Sequence, residues 1–262
     1  MKLSQLIAEY VSFKQAIGMR FESEAWIFRS FQRTVGDHDL TTVDPSLVAA
    51  YLAGTGPITA FWHRKYKALS GLYRFAMSRG YANSSPLPTT VPKQPEPKRP
   101  HIYSTEELRQ LLAATDTLEN RMSPLQAATF RALLLTLYGT GLRIGEALAL
   151  TIADVSLADS LFVVRESKFF KSRLVPVGPR LMAHLRAYLS KRRQVPQPAG
   201  EDSVFFPTRT GMALSYHRVR KIFTRLRKQA NILRRDSVTC APRIHDLSYP
   251  NLNKIQTFLI KS

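Results

Sequence analysis

The sequence predicts a mainly α-helical protein with a small antiparallel β-sheet, divided into two domains. Over most of the chain the apolar residues recur at the three- and four-residue spacing of helices that bury one face. After residue 150 the pattern changes to two short runs of β-type residues, at 161–164 and 173–177. Six prolines lie between residues 86 and 100, and such a segment is extended, so it marks a linker between the domains.

The N-terminal domain is expected to occupy residues 1 to 85 as four helices. Three of them are followed by a glycine, a residue that often ends helices: Gly18, Gly36 and Gly80. Asp44 caps the third helix, which has a proline in its first position. The predicted helices cover about residues 3 to 17, 22 to 35, 45 to 54 and 59 to 79.

The fourth predicted helix interleaves aromatic residues with cations. Its aromatic side chains, such as Trp62, are expected in the core, and the second helix is expected to carry Trp26, Ile27 and Phe31 on one side. A helix that is basic on its open face can lie along a phosphate backbone, so Arg64, Lys65 and Lys67 are candidates for contact with DNA.

The composition indicates a polyanionic partner. Lys and Arg number 38 against 19 Asp and Glu, which gives a net charge of +19, and we expect that partner to be duplex DNA. No stretch approaches the ~18 apolar residues of a membrane-spanning helix, and a signal-peptide core is lacking, so the cytoplasm is the expected compartment. The single cysteine, Cys240, excludes an intramolecular disulfide and a cysteine-based zinc cluster, and no metal or other cofactor is expected.

The C-terminal domain is expected to begin at Ser104, after a linker that covers residues 86 to 103. Ser104 and Glu107 form a capping box for its first helix, and Ser123 caps the second. A later helix at residues 179 to 193 ends in three cations, which complement its dipole.

The helix capped by Ser215 carries cations of a single sign on its outer face. It buries Val219 and Phe223, and we favour DNA contact for the opposite face over a merely solvated one. Its basic side chains are Arg218, Arg220, Lys221, Arg225, Arg227 and Lys228, with His217. The DNA-binding candidates of this domain are Arg218 and Lys221 on this helix, with Lys171 and Arg173 on the predicted hairpin.

A glycine turn in this domain presents an arginine. The apolar run at residues 132 to 138 is expected to be a buried helix that Gly139 and Gly141 end, so that Arg143 opens the next helical turn. The planar guanidinium can hold two phosphate oxygens at once. The alternative is an ordinary surface pair with Glu146, three residues further on.

Three motifs follow in order along the domain. Residues 141 to 148 read GLRIGEAL, residues 171 to 177 at the end of the predicted hairpin read KSRLVPV, and residues 242 to 247 read PRIHDL. In this order and spacing they resemble the tyrosine recombinase (phage integrase) family, and the resemblance covers most of the chain. It implies a helical core-binding domain in residues 1 to 85 and, in residues 104 to 248, an α+β catalytic domain that lacks its C-terminal helices.

The resemblance implies a metal-free transesterification in which a tyrosine attacks a DNA phosphodiester. By position, Arg143 would neutralise the nonbridging oxygens, and Glu146 would support it through hydrogen bonds. Lys168 would protonate the departing 5′ oxygen, a role for which Lys171 competes, and His245 would work as acid or base.

The match stops after Leu247. The family's motif continues with an arginine and usually a histidine, where this chain has Ser248 and Tyr249. Serine cannot replace a second guanidinium, and loss of such a donor costs about 10²-fold or more in rate. Residues 249 to 262 have no counterpart of the nucleophilic tyrosine, and their composition suggests that the reading frame was interrupted after about Leu247. We therefore expect a truncated protein, inactive in strand transfer.

Other functions stay open beside a recombinase from a mobile element. The alternative from a different class is a DNA-binding regulatory module that occupies recombination sites or joins full-length protomers. A type IB topoisomerase shares the chemistry, but the two-domain organisation favours a recombinase. An integrase, a resolvase or a transposon role and the oligomeric state, including self-association, are left undecided.

Overall fold

The computed structural model describes residues 1–96, 100–119, 125–165, 172–198, 200–233 and 244–248. In this part of the chain nine α-helices accompany one three-stranded antiparallel sheet, which confirms the predicted fold class. The chain divides into two compact units, Met1–Pro97 and Lys98–Ser262. Among the described helices, none combines the length and apolar character that a membrane span requires.

The first unit is a four-helix domain with its own core. Its large buried side chains include Phe28, Phe31 and Tyr73. Trp26 differs from the prediction that it shares one side of its helix with Ile27 and Phe31: it is 50% exposed, whereas Ile27 and Phe31 are buried. The helices are α1 (Leu3–Ala16), α2 (Glu22–Val35), α3 (Pro45–Ala53) and α4 (Ala60–Ser78), each within one or two residues of its predicted range.

The second unit is built around a central helix that is buried on most of its surface. That helix packs against the helix that follows the sheet and against a short 3₁₀-helix, Ile244–Ser248. Ser123, its predicted cap, lies outside the described residues. The helices are α5 (Thr105–Ala114), α6 (Gln126–Thr140), the central one, α7 (Ile144–Ala149), α8 (Pro179–Arg193), which follows the sheet, and α9 (Tyr216–Gln229).

The sheet contains the predicted hairpin and one further strand. Strand β2 (Leu161–Val164) pairs with β3 (Arg173–Pro176) in antiparallel register, with Val164 opposite Arg173. Strand β1 (Val155–Ser156), which the sequence did not predict, pairs with the other edge of β2. The register brings the base of the hairpin to Arg173, while the turn between the two strands lies outside the described residues.

Two glycines shape the end of α6, in different ways. Gly141 ends the helix with a φ of 65°, a left-handed conformation that glycine adopts without strain. Gly139 was expected to end the helix too, but it lies inside α6. A Cβ atom at Gly139 would come within 2.8 Å of Leu181 Cδ2, so its small size permits the close approach of α8.

Candidate phosphate-binding site

Arg143 caps the N-terminus of α7, directly after the glycine turn. Its backbone N–H donates to Glu146 Oε2 at 2.9 Å, and its Nη1 donates to Glu146 Oε1 at 2.8 Å. The surface pair considered from the sequence is therefore present. The Arg143 side chain nevertheless remains 64% exposed, so the guanidinium is held at one edge and open to solvent at the other.

A second arginine meets the same carboxylate from the sheet. Arg173, the first residue of β3, donates from Nη1 to Glu146 Oε1 at 3.0 Å and from Nη2 to Oε2 at 2.8 Å. This bidentate pair spans 27 residues of sequence and joins β3 to α7. The Arg173 side chain is 40% exposed and that of Glu146 only 9%, so two partly exposed cations share one buried anion.

The carboxylate of Glu146 is ionised by its neighbours in spite of its burial. Burial alone would raise its pKa, but hydrogen bonds from Arg173 and Arg143 outweigh that effect and lower the pKa to about 2. The same contact raises the pKa of Arg173. The cluster therefore carries two positive charges and one negative charge at neutral pH.

The 3₁₀-helix with His245 lies beside this cluster. Ser248 Oγ donates to the backbone carbonyl of Leu142 at 2.6 Å, which ties the end of the 3₁₀-helix to the residue before Arg143. Side chains three residues apart in a 3₁₀-helix lie on the same side, so His245 is on the side of Ser248. The position at which the resemblance implies a second arginine thus holds a hydroxyl bonded to the backbone.

Tyr216 contacts His245, a contact that no sequence pattern indicated. The Tyr216 hydroxyl lies 2.8 Å from His245 Nε2, with the ring centroids 5.2 Å apart. Tyr216 is the first residue of α9, which packs against α7. A lone tyrosine at a helix start has no pattern to single it out, because the contact depends on two elements 29 residues apart.

The two candidate lysines of the hairpin turn are not among the residues that the structure describes. The choice between Lys168 and Lys171 therefore stays a prediction. The two ends of their turn are described. Arg165 Nε donates to Asp154 Oδ1 at 2.6 Å, and Arg173 pairs with Glu146, so a carboxylate holds each of these two flanking arginines.

In the first unit the structure separates the three predicted cations of α4. Arg64 and Lys67 are exposed, with Arg64 Nη2 at 3.5 Å from a Glu24 carboxylate oxygen. Lys65 is 7% exposed, and its Nζ donates to the backbone carbonyl of Tyr51 inside the unit. Burial lowers the pKa of Lys65. An ammonium engaged in this way is not available to a phosphate, so we remove Lys65 from the DNA-binding candidates.

The prediction for the basic face of α9 is also wrong for one residue. Arg218 and Lys221 are exposed and three residues apart, as the helical spacing predicted. Arg227 was expected on the same face, but it is buried, and its Nη1 donates to the backbone carbonyl of Ile232 at 3.1 Å. It therefore secures the chain that leaves α9.

No group of three or more His, Cys, Asp or Glu side chains is arranged to hold a metal ion within the described ranges. A cavity of about 460 Å³ beside the cluster is bounded by Glu146, Asp154, Arg165 and Asp202, and mixes charges of both signs. In the described residues, the cluster of Arg143, Arg173 and Glu146 is suited to an anion.

Comparison with known proteins places the C-terminal unit in a family. The model of the phage integrase family matches residues 102–247. The putative integrase/recombinase y4rB of Sinorhizobium fredii is 26% identical over 248 residues, which cover 94% of this chain and 79% of that protein. The tyrosine recombinase XerC of Chlorobaculum parvum is 36% identical over 166 residues, 58% of this chain and 49% of that protein.

Solved structures share the fold at low sequence identity. A lambda integrase dimer bound to a COC′ core site matches with a TM-score of 0.66 and 17% identity, covering 95% of this chain and 88% of that one. The integrase of transposon Tn1549 in complex with circular intermediate DNA matches with a TM-score of 0.69 and 15% identity, covering 100% and 92%. With the family model spanning more than half of the sequence, the chain belongs to the phage integrase family of tyrosine recombinases.

Proposed function

We propose that this chain binds duplex DNA as a member of a site-specific recombination system and holds a backbone phosphate at Arg143. The observation that carries the proposal is the cluster of two partly exposed arginines on the buried Glu146. Guanidiniums fixed by a carboxylate are oriented before the ligand arrives, and their planar forks match phosphate oxygens. The similar integrases that were solved in complex with DNA support the same partner.

We further propose that the chain does not carry out strand transfer. In the family, a second arginine stabilises the charge that develops on the phosphate. Here the corresponding residue is Ser248, whose hydroxyl is bonded to the Leu142 carbonyl. A hydroxyl brings no charge to the transition state, and removal of one such donor costs about 10²-fold to 10³-fold in rate.

The same observation favours a second candidate function. A protein that binds recombination sites without cutting them can occupy those sites or join full-length protomers there. In that case the chain regulates recombination instead of catalysing it.

One experiment tests the binding and the lack of cleavage together. The full chain is incubated with a duplex suicide substrate, and the products are separated on native and on denaturing gels. We expect a mobility shift on the native gel that weakens steeply as salt is raised, because counterions are released from each contacted phosphate. On the denaturing gel we expect no covalent adduct.

Two outcomes would contradict the proposal. A shift that hardly changes across the salt titration would mean that phosphate contacts do not dominate binding. A covalent adduct that disappears in Y249F or in Y216F would show that this chain has a nucleophile, with Tyr216 included because its hydroxyl contacts His245.

A further inference from the structure

We propose that Arg173 is the second phosphate-binding arginine of the site, and that it binds the same phosphate as Arg143. The inference rests on the proposed function, since it assigns a second ligand to the phosphate placed at Arg143. Arg173 would thereby supply from the β-hairpin the positive charge that Ser248 does not supply from the 3₁₀-helix.

The hydrogen bonds of Glu146 bring the two guanidiniums to one point. Its Oε1 accepts from Arg143 at 2.8 Å and from Arg173 at 3.0 Å, so both cations lie against a single oxygen atom. Two guanidiniums that donate to one carboxylate oxygen at these distances lie close together. They can therefore donate to different oxygens of one phosphate, because the phosphate oxygens are separated by similar distances. The two arginines come from different elements, β3 and the start of α7.

The hydrogen-bonding capacity of the arginines is only partly used by Glu146. A guanidinium has five N–H donors. Among the described contacts, the side chain of Arg173 gives two hydrogen bonds to Glu146, and that of Arg143 gives one. Both side chains are substantially exposed, at 40% and 64%, so their remaining donors are open to an incoming ligand.

The charges also favour one monoanion. Two guanidiniums and one carboxylate leave a net charge of +1, and the low pKa of Glu146 keeps that balance at neutral pH. One phosphodiester group, with a charge of −1, would neutralise the cluster. A purely structural pair would need only one arginine for the buried carboxylate, and the second would add an unbalanced charge.

The test is a double-mutant cycle on R143A and R173A, measured by binding of the full chain to short duplex DNA over a range of salt concentrations. Each contacted phosphate contributes about −0.9 to the slope of log affinity against log salt. If the arginines share one phosphate, the double variant loses about 0.9 of slope in total, and the fold-losses of the single variants do not multiply. We also expect R173A alone to weaken binding about tenfold, the loss typical of one charge-assisted contact.

A matched control is R131A, because Arg131 is also an exposed arginine, 44% accessible, paired with a carboxylate at 3.1 Å. It should leave the slope unchanged. As a rescue, S248R in the R173A background should restore most of the lost affinity by supplying a guanidinium from the neighbouring 3₁₀-helix. Melting temperatures are measured for every variant, and R173Q replaces R173A if the latter is unfolded in the assay.

Two results would overturn the inference while leaving the proposed function intact. A loss of about 1.8 in slope for the double variant, with fold-losses that multiply, would place the arginines on separate phosphates. Unchanged affinity in folded R173A or R173Q would show that Arg173 only supports the fold. Failure of the unmodified chain to bind DNA would instead contradict the proposed function itself.

Discussion

Glu146 accepts hydrogen bonds from the backbone N–H of Arg143 and from the guanidiniums of Arg143 and Arg173. These contacts link the end of the glycine turn to the β-hairpin across a side chain that is 9% exposed. Because both arginines donate hydrogen bonds to Glu146, this residue contributes to the structure of the site as well as to its electrostatics. A change at Glu146 should therefore affect stability and DNA binding together.

We predict that E146Q lowers the free energy of unfolding by about 1–3 kcal/mol at neutral pH, because an amide is a weaker acceptor and leaves the two guanidiniums without their counter-charge. The pKa of Glu146 is lower in the folded state, about 2, than the ordinary value of 4.5. Its contribution is thus present above about pH 4.5 and is lost as the pH falls through about 2.

Denaturant unfolding at several pH values checks this. The difference in stability between wild type and E146Q should shrink as the pH is lowered across that window. E106Q serves as the control, since Glu106 is a 65% exposed carboxylate that also pairs with an arginine. A difference between wild type and E146Q that stays constant down to pH 2 would show that the carboxylate charge is not what holds the arginines.

At the scale of a single element, α4 combines a structural cation with solvent-facing ones. Lys65 donates to the backbone carbonyl of Tyr51, near the end of α3, whereas Lys67 is exposed two residues further on. We predict that K65A destabilises the chain by about 1–3 kcal/mol, through the lost hydrogen bond and the lost packing of its methylene stem, and leaves the salt slope of DNA binding unchanged.

K67A is the matched variant and should do the reverse. It should keep the melting temperature and reduce the salt slope by about 0.9, as expected for one phosphate contact. Thermal melts and salt titrations on both variants separate the two roles. If K65A reduced the slope without changing stability, the buried position of Lys65 would not describe the DNA-bound state.

Local signals along the sequence were enough to predict most helices. Asp44 caps α3 by accepting from the backbone N–H of Ser46 at 2.8 Å, and Ser104 forms its capping box with Glu107. Such signals act within three residues, so they can be read without a fold. The burial of Lys65 could not be predicted in the same way, because it depends on how α4 packs against α3.

For the site, the family resemblance implied roles for Arg143, Glu146 and His245, but it did not place Arg173 or Tyr216 beside them. The bond from Ser248 to Leu142 spans 106 residues, and the pair of Arg173 with Glu146 spans 27. Contacts of this range follow from the complete packing of the unit, and no spacing rule encodes them. The pairing of Arg173 with Glu146 could thus be recognised only once the hairpin register was known.

At the scale of the whole molecule, the chain consists of two units, each with its own hydrophobic core. We predict that limited trypsin treatment cleaves first after Lys93, which is exposed in the proline-rich segment, and yields two resistant fragments. Mass spectrometry of the products identifies the cut. K93Q should slow this cleavage, whereas early cuts within α4 or α6 would contradict independent cores.

The ionisation of the arginine cluster has a consequence for how DNA affinity responds to acidity. Since Glu146 loses its proton at about pH 2 and its two guanidinium partners keep theirs in proteins, the cluster has one fixed charge throughout the range in which cells live. The proposed contact with phosphate is therefore expected to be insensitive to pH near neutrality. Any change of DNA affinity between about pH 5 and 8 would then originate outside this cluster, which makes a pH titration a probe of the rest of the DNA-binding surface.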